Sequence, residues 1–262
     1  MRSGISIPTR SVIGFPVTAL PFESQMQVTL AWAKQRLSRF VCIANVHMLI
    51  EAHQSSEFAS VLRSADLVTP DGMPLVWMLK LMGASKQDRV AGLDVLEATC
   101  KLAAQEGVSV FFLGSQDEIL KRMRERLERE FPHLQIAGME SLPFRPLTHS
   151  EDEAIVQKLN DSGAGLVFVS LGCPKQERWM ADHRGKIQAV MIGLGGAFPV
   201  YAGIHKRAPQ LVRSMGFEWL YRLIQEPRRL WGRYSSTIPV FLWLAFKQLF
   251  MASGNASSQE VQ

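Results

Sequence analysis

Short apolar runs recur along most of the chain and alternate with longer segments of helical period. Continuous apolar runs bounded by turn residues predict buried strands. Such strands are predicted at residues 40–45, 66–69, 108–114, 134–138, 165–172 and 189–196. A shorter edge strand is predicted at residues 12–15, inside an N-terminal segment that has no clear period.

The segments between these strands predict helices over residues 26–37, 46–64, 93–105 and 115–129, with a further helix between the last two strands. Ser115 with Glu118, and Ser150 with Glu153, have the spacing of a capping box, in which each side chain bonds the backbone N–H of the other residue. Strands that alternate with helices build βαβ units. We therefore predict an α/β fold with a mainly parallel sheet flanked by helices.

The chain changes character near Ala208, after which no strand pattern is found. We predict an α/β domain over residues 1–207 and a helical appendage over residues 208–262, with a disordered end from residue 254. The apolar segment at residues 238–251 is too short to span a bilayer and is typical of an interfacial amphipathic helix.

Cations are concentrated at the start of the appendage, in a chain whose net charge is +5. They are opposed there by Glu218 and Glu226 and interleaved with Trp and Tyr residues. The cations are Lys206, Arg207, Arg213, Arg222, Arg228, Arg229 and Arg233. Basic and aromatic side chains suit an anionic bilayer, at about 1 kcal/mol per cation, or single-stranded nucleic acid. The apolar segment that follows favours the bilayer over nucleic acid and over simple packing on the core.

The cysteine positions and the absence of common catalytic motifs limit the kinds of site that this chain can contain. The three cysteines are far apart and form no CxxC pair, so neither a disulfide framework nor a zinc site is indicated. The sequence contains no P-loop, HExxH, GxSxG or Asp-x-Asp motif, and we expect neither a metal nor a cofactor. It also lacks a secretory signal and a long apolar span. We expect a cytoplasmic protein that is peripheral at the inner face of the cell membrane.

Polar residues and glycines follow the predicted strands at their carboxyl ends, where open parallel sheets bind ligands. Asn45 ends one strand, and Asp71 follows another within Thr69-Pro70-Asp71-Gly72. Pro-Asp-Gly is also an ordinary turn signal, but the convergence of strand ends favours a reactive carboxylate at Asp71. The glycines at these ends allow either close approach to a ligand or tight turns. They are Gly72, Gly114, Gly172, and Gly195 and Gly196 of GLGGAF.

Two further features suit an anionic ligand. In LGCPKQERW, Pro174 fits the first position of a helix whose N-terminus would present free N–H groups, with Lys175 and Gln176 beside them. The same residues also fit an ordinary helix start with a solvated face. Arg89 precedes a predicted helix start, where it could pair with a phosphate or a carboxylate, although a lone loop arginine is usually solvated.

Taken in chain order, these stretches resemble the WecG/TagA/CpsF glycosyltransferase family over roughly residues 10–235. The resemblance rests on TPDGMPLVW, RVAGLDV, FFLGS, LGCPKQERW, GLGGAF, AGIHKRAP and FEWLYRLIQEPRRLWGRY. It implies a Rossmann-like α/β fold with a C-terminal appendage that reaches the membrane. It also implies a bacterial enzyme of surface-polysaccharide or wall-polymer synthesis.

Such an enzyme would move a sugar from a UDP-sugar to a polyprenyl-diphosphate-linked saccharide, with inversion and without a metal. The resemblance makes Asp71 the candidate base and Arg89 a catalytic candidate that, with Gln176 and the appendage arginines, would stabilise the leaving UDP. Donor-binding candidates are Asn45, Gly72, Gly114, Gly172, Lys175, Gln176, Gly195 and Gly196. Acceptor or membrane candidates are Arg207, Arg213, Arg222, Arg228, Arg229 and Arg233. No nucleic-acid partner is expected, and the sugar, the acceptor and a homo-oligomeric state stay open.

Two positions depart from the family pattern. Many relatives have Thr where this chain has Ile43, and many have Phe-Asp where it has Phe198-Pro199. Both departures would bear on donor choice or on nucleotide recognition. On the residues alone, a nucleotide-binding oxidoreductase and a non-enzymatic membrane- or nucleic-acid-binding module also stay open, although the chain lacks the GxGxxG of the former.

Overall fold

The computed structural model describes residues 7–143 and 145–257. Its strands are β1 (Thr9–Val12), β2 (Phe15–Thr18), β3 (Arg39–Ala44), β4 (Leu67–Pro70), β5 (Val110–Gly114), β6 (Ile136–Glu140), β7 (Leu166–Ser170) and β8 (Val190–Gly193). Its first helices are α1 (Phe22–Lys34), α2 (Val46–Gln54), α3 (Ser56–Ser64), α4 (Met73–Leu81), α5 (Gly92–Glu106) and α6 (Asp117–Glu130). The remaining helices are α7 (His149–Asp161), α8 (Lys175–Asp182), α9 (Ala197–Tyr201), α10 (Gln210–Ser214), α11 (Glu218–Gln225) and α12 (Pro227–Ser257).

Strands β3 to β8 form one six-stranded sheet in the order β4-β3-β8-β7-β5-β6, and all of its recorded pairings are parallel. The predicted α/β fold with a mainly parallel sheet is therefore confirmed. From β3 the chain goes outward to β4, crosses the sheet to β5, goes outward again to β6, and returns through β7 to β8 beside β3. In open α/β sheets, ligands bind beyond the carboxyl ends of the strands.

Apart from the edge strand β6, the strands are buried on both faces of the sheet, which explains why they read as continuous apolar runs. Along β3, Phe40, Cys42 and Ala44 belong to one core cluster, whereas Val41 and Ile43 belong to the other. The predicted strands at residues 40–45 and 108–114 each extend one or two residues beyond the observed ones. Deviations of this size are usual at element boundaries.

The N-terminal region corrects two predictions. The edge strand predicted at residues 12–15 is wrong: β1 and β2 form an antiparallel hairpin, and Ile13 (φ 45°) and Gly14 (φ 90°) make its turn. The single helix predicted over residues 46–64 is two helices. Ser55 leaves the helical conformation, and its side chain accepts a hydrogen bond from the Phe58 backbone nitrogen at 3.2 Å, so it caps α3.

Neither predicted capping box forms. Ser115 has φ 70°, and α6 begins two residues later with no side-chain cap, because the chain must first turn off the end of β5. The second box lies two residues earlier than predicted, between Thr148 and Glu151. There the Glu151 side chain accepts from the Thr148 backbone nitrogen at 2.8 Å, and the Thr148 hydroxyl accepts in return at 3.3 Å.

The C-terminal segment is helical, as predicted, and α12 is its longest element. Helix α12 packs on α2, and Gln248 ties it to the N-terminal hairpin. The side chain of Gln248 accepts from the Ile13 backbone nitrogen at 2.7 Å and donates to the Ser11 carbonyl at 2.6 Å. Residues 254–257 of the predicted disordered end are helical, and the rest of that end lies outside the described residues. The domain division after residue 207 stays a prediction.

Candidate active site

The carboxyl ends of the parallel strands bring several predicted site residues to one edge of the sheet. Asn45 directly follows β3, Asp71 follows β4, and Gly114 ends β5. Gly172 lies two residues beyond β7, and Gly195 two residues beyond β8. Because all of these strands run in the same direction, the residues share the edge that carries ligands in sheets of this kind.

Asp71 is fixed in place by the backbone at the junction of β4 and α4. Its backbone nitrogen donates a 2.8 Å hydrogen bond to the Ala44 carbonyl at the end of β3. Gly72 caps α4, and Pro74 lies in the first turn, where a missing N–H has no cost. Thr69-Pro70-Asp71-Gly72 is therefore a strand end followed directly by a helix start, and α4 is an element that the sequence analysis did not predict.

The side chain of Asp71 is half-buried, and burial raises its pKa to about 6. The positive charges of Arg89 and Arg222 lower the pKa, whereas the negative charges of Glu218 and Asp94 raise it. Within residues 7–143 and 145–257, no hydrogen bond to the Asp71 carboxylate is recorded. A carboxylate with a pKa near neutrality and free oxygens is chemically suited to accept a proton from a ligand.

Arg89 is near enough to this carboxylate for its charge to lower the pKa of Asp71, and it is itself held by acidic side chains. One of its guanidinium nitrogens is 2.6 Å from a carboxylate oxygen of Glu218, on α11, and the other is 3.8 Å from Asp94. Its side chain is only 14% exposed. Arg89 is therefore not the solvated loop arginine that the sequence left open, and it connects the sheet edge to the appendage.

Asn45 and Gly72 lie against each other on neighbouring strand ends. The side-chain oxygen of Asn45 accepts a 3.1 Å hydrogen bond from the Met48 backbone nitrogen, so Asn45 caps α2. A Cβ atom added to Gly72 would lie 3.9 Å from the Cβ atom of Asn45. Asn45 thus has a structural role that is sufficient to explain it, and donor binding by either residue stays a prediction.

The backbone conformation and the close packing at residue 114 both require glycine there. It has φ 91°, and an added Cβ atom would lie 2.6 Å from the Ser170 carbonyl oxygen at the end of β7. The hydroxyl of Ser170 in turn donates a 2.9 Å hydrogen bond to the Gly195 carbonyl beyond β8. The ends of three adjacent strands are therefore packed without room for a side chain at Gly114.

The side chain of Gln176 points inward. Its oxygen accepts from the Gly172 backbone nitrogen at 3.2 Å, and its nitrogen donates to the Glu177 carboxyl at 2.7 Å. Added Cβ atoms on Gly193 and Gly195 would both come within 3.2 Å of the Gln176 amide. The Gln176 side chain therefore holds the backbone of the loop between β7 and α8 through its bond to Gly172. Gly193 and Gly195 of GLGGAF leave the space that this side chain occupies.

Glu177 is a buried acid that the sequence analysis did not single out. It is fully buried, and burial raises its pKa. One of its carboxyl oxygens accepts from the Gln176 amide, whereas the other has no recorded hydrogen-bond partner among the described residues. Glu177 therefore holds the Gln176 side chain in place by accepting its hydrogen bond. The neighbouring Lys175 is exposed at the start of α8. Pro174 is the N-cap of α8, one position earlier than predicted.

The appendage arginines fall into two groups. Arg222 and Arg233 shift the pKa of other side chains. Arg222 lowers the pKa of Asp71, whereas burial and then Arg233 lower the pKa of His47, on α2, to about 4. Arg207 and Arg213 are engaged within the protein, Arg207 with Asp94 and Glu97, and Arg213 with the Ala208 carbonyl at 3.0 Å. Arg228 is exposed, and the side chain of Arg229 lies outside the described atoms.

The two positions that depart from the family pattern lie close to this edge. Ile43 is 7% exposed and belongs to the core cluster on one face of β3. Pro199 lies in the short helix α9, and its carbonyl accepts from the Ile204 backbone nitrogen at 2.9 Å. Gly196, which precedes α9, is exposed and has ordinary helical φ. Neither Ile43 nor Pro199 offers a polar side-chain group to a ligand.

A cleft of about 510 Å³ lies between α1, α5 and α6, and Arg89 is one of its lining residues. Its polar walls include Asp94, Glu97 and Glu130 as well as Arg89 and Lys101. With more acidic than basic side chains, it suits an anion less well than the strand ends around Asp71. Among the described residues, no group of three or more His, Cys, Asp or Glu side chains is arranged to hold a metal ion.

Comparison with protein families gives one match that spans nearly the whole chain. The model described as "Glycosyl transferase WecG/TagA/CpsF family" matches residues 10–255. The match includes the strand ends around Asp71, the α8 loop and the appendage. It agrees with the resemblance that the motifs indicated, and it extends some 20 residues beyond the range first assigned to it.

Two curated bacterial proteins are similar over most of their length. One, from Bacillus spizizenii, is 35% identical over 227 residues, covering 86% of this chain and 85% of its own. The other, from Bacillus subtilis, is 31% identical over 216 residues, covering 82% and 81% respectively. Both are named N-acetylglucosaminyldiphosphoundecaprenol N-acetyl-beta-D-mannosaminyltransferase.

Proposed function

Because this chain belongs to the WecG/TagA/CpsF family of glycosyl transferases, we propose that it transfers an N-acetylmannosamine-type sugar from a UDP-sugar to a polyprenyl-diphosphate-linked saccharide. The names of the two Bacillus relatives support this choice of sugar and lipid-linked acceptor. The oxidoreductase and the non-enzymatic module are set aside, because a glycosyl transferase model matches residues 10–255.

The placement of Asp71 carries the mechanistic part of the proposal. An acceptor hydroxyl oxygen attacks the anomeric carbon, the bond from that carbon to the diphosphate oxygen breaks, and UDP leaves with the electron pair. Asp71 takes the proton of the attacking hydroxyl, for which a pKa of about 6 is well matched near neutral pH. A single displacement of this kind inverts the anomeric centre, which suits a β-linked product from an α-linked nucleotide sugar.

Cations beside Asp71 stabilise the leaving diphosphate. Arg89 is held next to the carboxylate, and Arg222 acts on the same carboxylate from the appendage. Positive charge placed where negative charge develops can replace a metal ion in this role. We propose a metal-independent reaction without a cofactor, in which the backbone of the strand-end loops and the start of α8 contact the donor.

We propose a peripheral position at the inner face of the membrane, and the exposed surface of α12 supports the membrane contact. Leu242, Trp243, Phe246 and Phe250 are each about 60% exposed, and their spacing places them on neighbouring rows of the helix. Arg228 is exposed at the start of the same helix. Among the described residues, no helix is both long and apolar enough to cross a membrane. An apolar face with cations nearby suits an interfacial helix, which would bring the site to a lipid-linked acceptor.

Calorimetric titration with UDP, in the presence and absence of EDTA, tests the donor part of the proposal, with NADH as the control. We expect UDP binding that survives chelation and exceeds NADH binding. Binding that EDTA abolishes would contradict metal independence. Absence of UDP binding would contradict the choice of donor and direct attention to Ile43 and Pro199.

A further inference from the structure

Glu218 joins the two arginines that act on Asp71. One of its carboxylate oxygens lies 2.6 Å from the Arg89 guanidinium, and the other lies 3.5 Å from Nε of Arg222. Glu218 itself is 20% exposed, so the contact with Arg89 is shielded from water on both sides. The carboxylate therefore occupies the position between the two guanidinium groups that an anionic ligand would need.

Each of the two arginines approaches Glu218 through one recorded nitrogen, and the same nitrogens could bind the oxygens of a diphosphate. A guanidinium group binds carboxylate and phosphate oxygens in the same fork arrangement, so one anion can replace the other. Asp94 also approaches Arg89, but at 3.8 Å, and it is paired with Arg207. Glu218 is thus the anion that most directly competes for Arg89.

Helix α11, which carries Glu218, lies outside the packed core. Helix α11 contains no buried residue, although it is eight residues long. Ile224 and Leu220 on this helix are exposed. Gly216, just before the helix, lies against Met73 of α4, and the Trp219 ring contacts the Tyr234 ring of α12. The ion pair between Glu218 and Arg89, which lie 129 positions apart in the chain, is a further contact at the surface of the sheet edge. A contact of this kind can exchange for a ligand without disrupting a packed core.

We propose that Glu218 is an internal counter-anion, which holds Arg89 and Arg222 at the reaction centre of the empty enzyme and is displaced from them by the donor diphosphate. Glu218 is a positioning residue rather than a catalytic one, because it acts through the two arginines. Glu218 sets the selectivity of the site, because only a ligand with enough negative charge to displace its carboxylate can bind both the Arg89 and the Arg222 guanidinium groups. The inference rests on the proposed function, since it takes a diphosphate as the ligand.

Titrations with UDP, inorganic pyrophosphate and uridine test this role in the wild type, Glu218→Gln and Glu218→Ala. If the carboxylate competes with the ligand, both variants bind UDP and pyrophosphate at least about fivefold more tightly. Uridine has no phosphate, and its affinity changes by less than about twofold. Glu97→Gln is the matched control. Glu97 pairs with Arg207 and Arg126, so this substitution removes one negative charge from the same region without changing a partner of Arg89.

A double-mutant cycle with Arg89→Gln shows whether the effect acts through Arg89. The gain from Glu218→Gln should shrink to less than about twofold in that background. Weaker or unchanged binding of UDP and pyrophosphate by both Glu218 variants would overturn the inference, as would an equal gain in Glu97→Gln. If the wild type binds pyrophosphate but not UDP, the proposed donor is wrong while Glu218 is still tested. If neither the wild type nor any Glu218 variant binds either anion, both proposals fail.

Discussion

The backbone nitrogen of Asp71 donates a hydrogen bond of 2.8 Å to the carbonyl oxygen of Ala44. This bond joins the end of β4 to the end of β3, so the position of the Asp71 carboxylate does not depend on its own side-chain contacts. It also places Asp71 beside Asn45, which starts the neighbouring helix. A base whose carboxylate oxygens are left free, on a backbone that is fixed, is suited to act on a ligand.

The protonation of Asp71 should control the acid side of the pH–activity profile. Its pKa is raised to about 6 by burial, with Arg89 and Arg222 lowering it and Glu218 and Asp94 raising it. A base works only when deprotonated, so kcat/KM should rise as the pH increases through about 6 and level off above it. Steady-state rates between about pH 5 and pH 8 measure this. A profile that stays flat down to pH 5 would contradict the role of Asp71.

Gly114 and Gly196 should respond differently to the same substitution. Gly114→Ala places a Cβ atom 2.6 Å from the Ser170 carbonyl at a backbone φ of 91°, and we expect a loss of about 2–4 kcal/mol in the free energy of unfolding. Gly196 has φ −65° and no atom within 4 Å of an added Cβ, so Gly196→Ala should change stability by less than about 1 kcal/mol. Urea denaturation compares the two, and a loss below about 1 kcal/mol in Gly114→Ala would show that Gly114 is not structurally required.

The exposed face of α12 should control binding to lipid. Replacing Leu242, Trp243 and Phe246 together by Ser removes apolar area that would enter the bilayer, and we expect at least about a tenfold loss of partitioning. Co-sedimentation with vesicles rich in phosphatidylglycerol measures it. Leu81→Ser is the control, because Leu81 is equally exposed but lies on α4. A loss of equal size in Leu81→Ser, or none in the triple variant, would argue against α12 as the membrane surface.

The sequence predicted the elements that have strong patterns. Strands such as β5 and β7 are buried on both faces, and their short, continuous apolar runs predict buried strands. Helix α4 was missed because Met73–Leu81 is apolar on most sides and follows a Pro-Asp-Gly turn signal. The hairpin of β1 and β2 was missed because its turn contains Ile13, which a turn seldom accommodates at positive φ.

The candidate site was predictable only in part, because topology can be inferred from strand patterns whereas contacts between distant side chains cannot. Asp71 and the glycines follow strands, so their common edge follows from the parallel topology. The inward orientation of Gln176 depends on contacts with Gly193 and Gly195, which no spacing reveals. The pairing of Arg89 with Glu218 joins distant parts of the chain, and the sequence showed Glu218 only as a counter-charge to the appendage cations.

The most direct measurement is transfer of labelled N-acetylmannosamine from its UDP derivative to a polyprenyl-diphosphate-linked N-acetylglucosamine, in EDTA, by the wild type and by Asp71→Asn. The exposed residue Asp161, far from the strand ends, supplies the control Asp161→Asn. We expect transfer by the wild type and the control, and a loss of about 10²- to 10⁴-fold in Asp71→Asn with UDP binding retained. Undiminished transfer by Asp71→Asn, or no transfer by the wild type, would contradict the account.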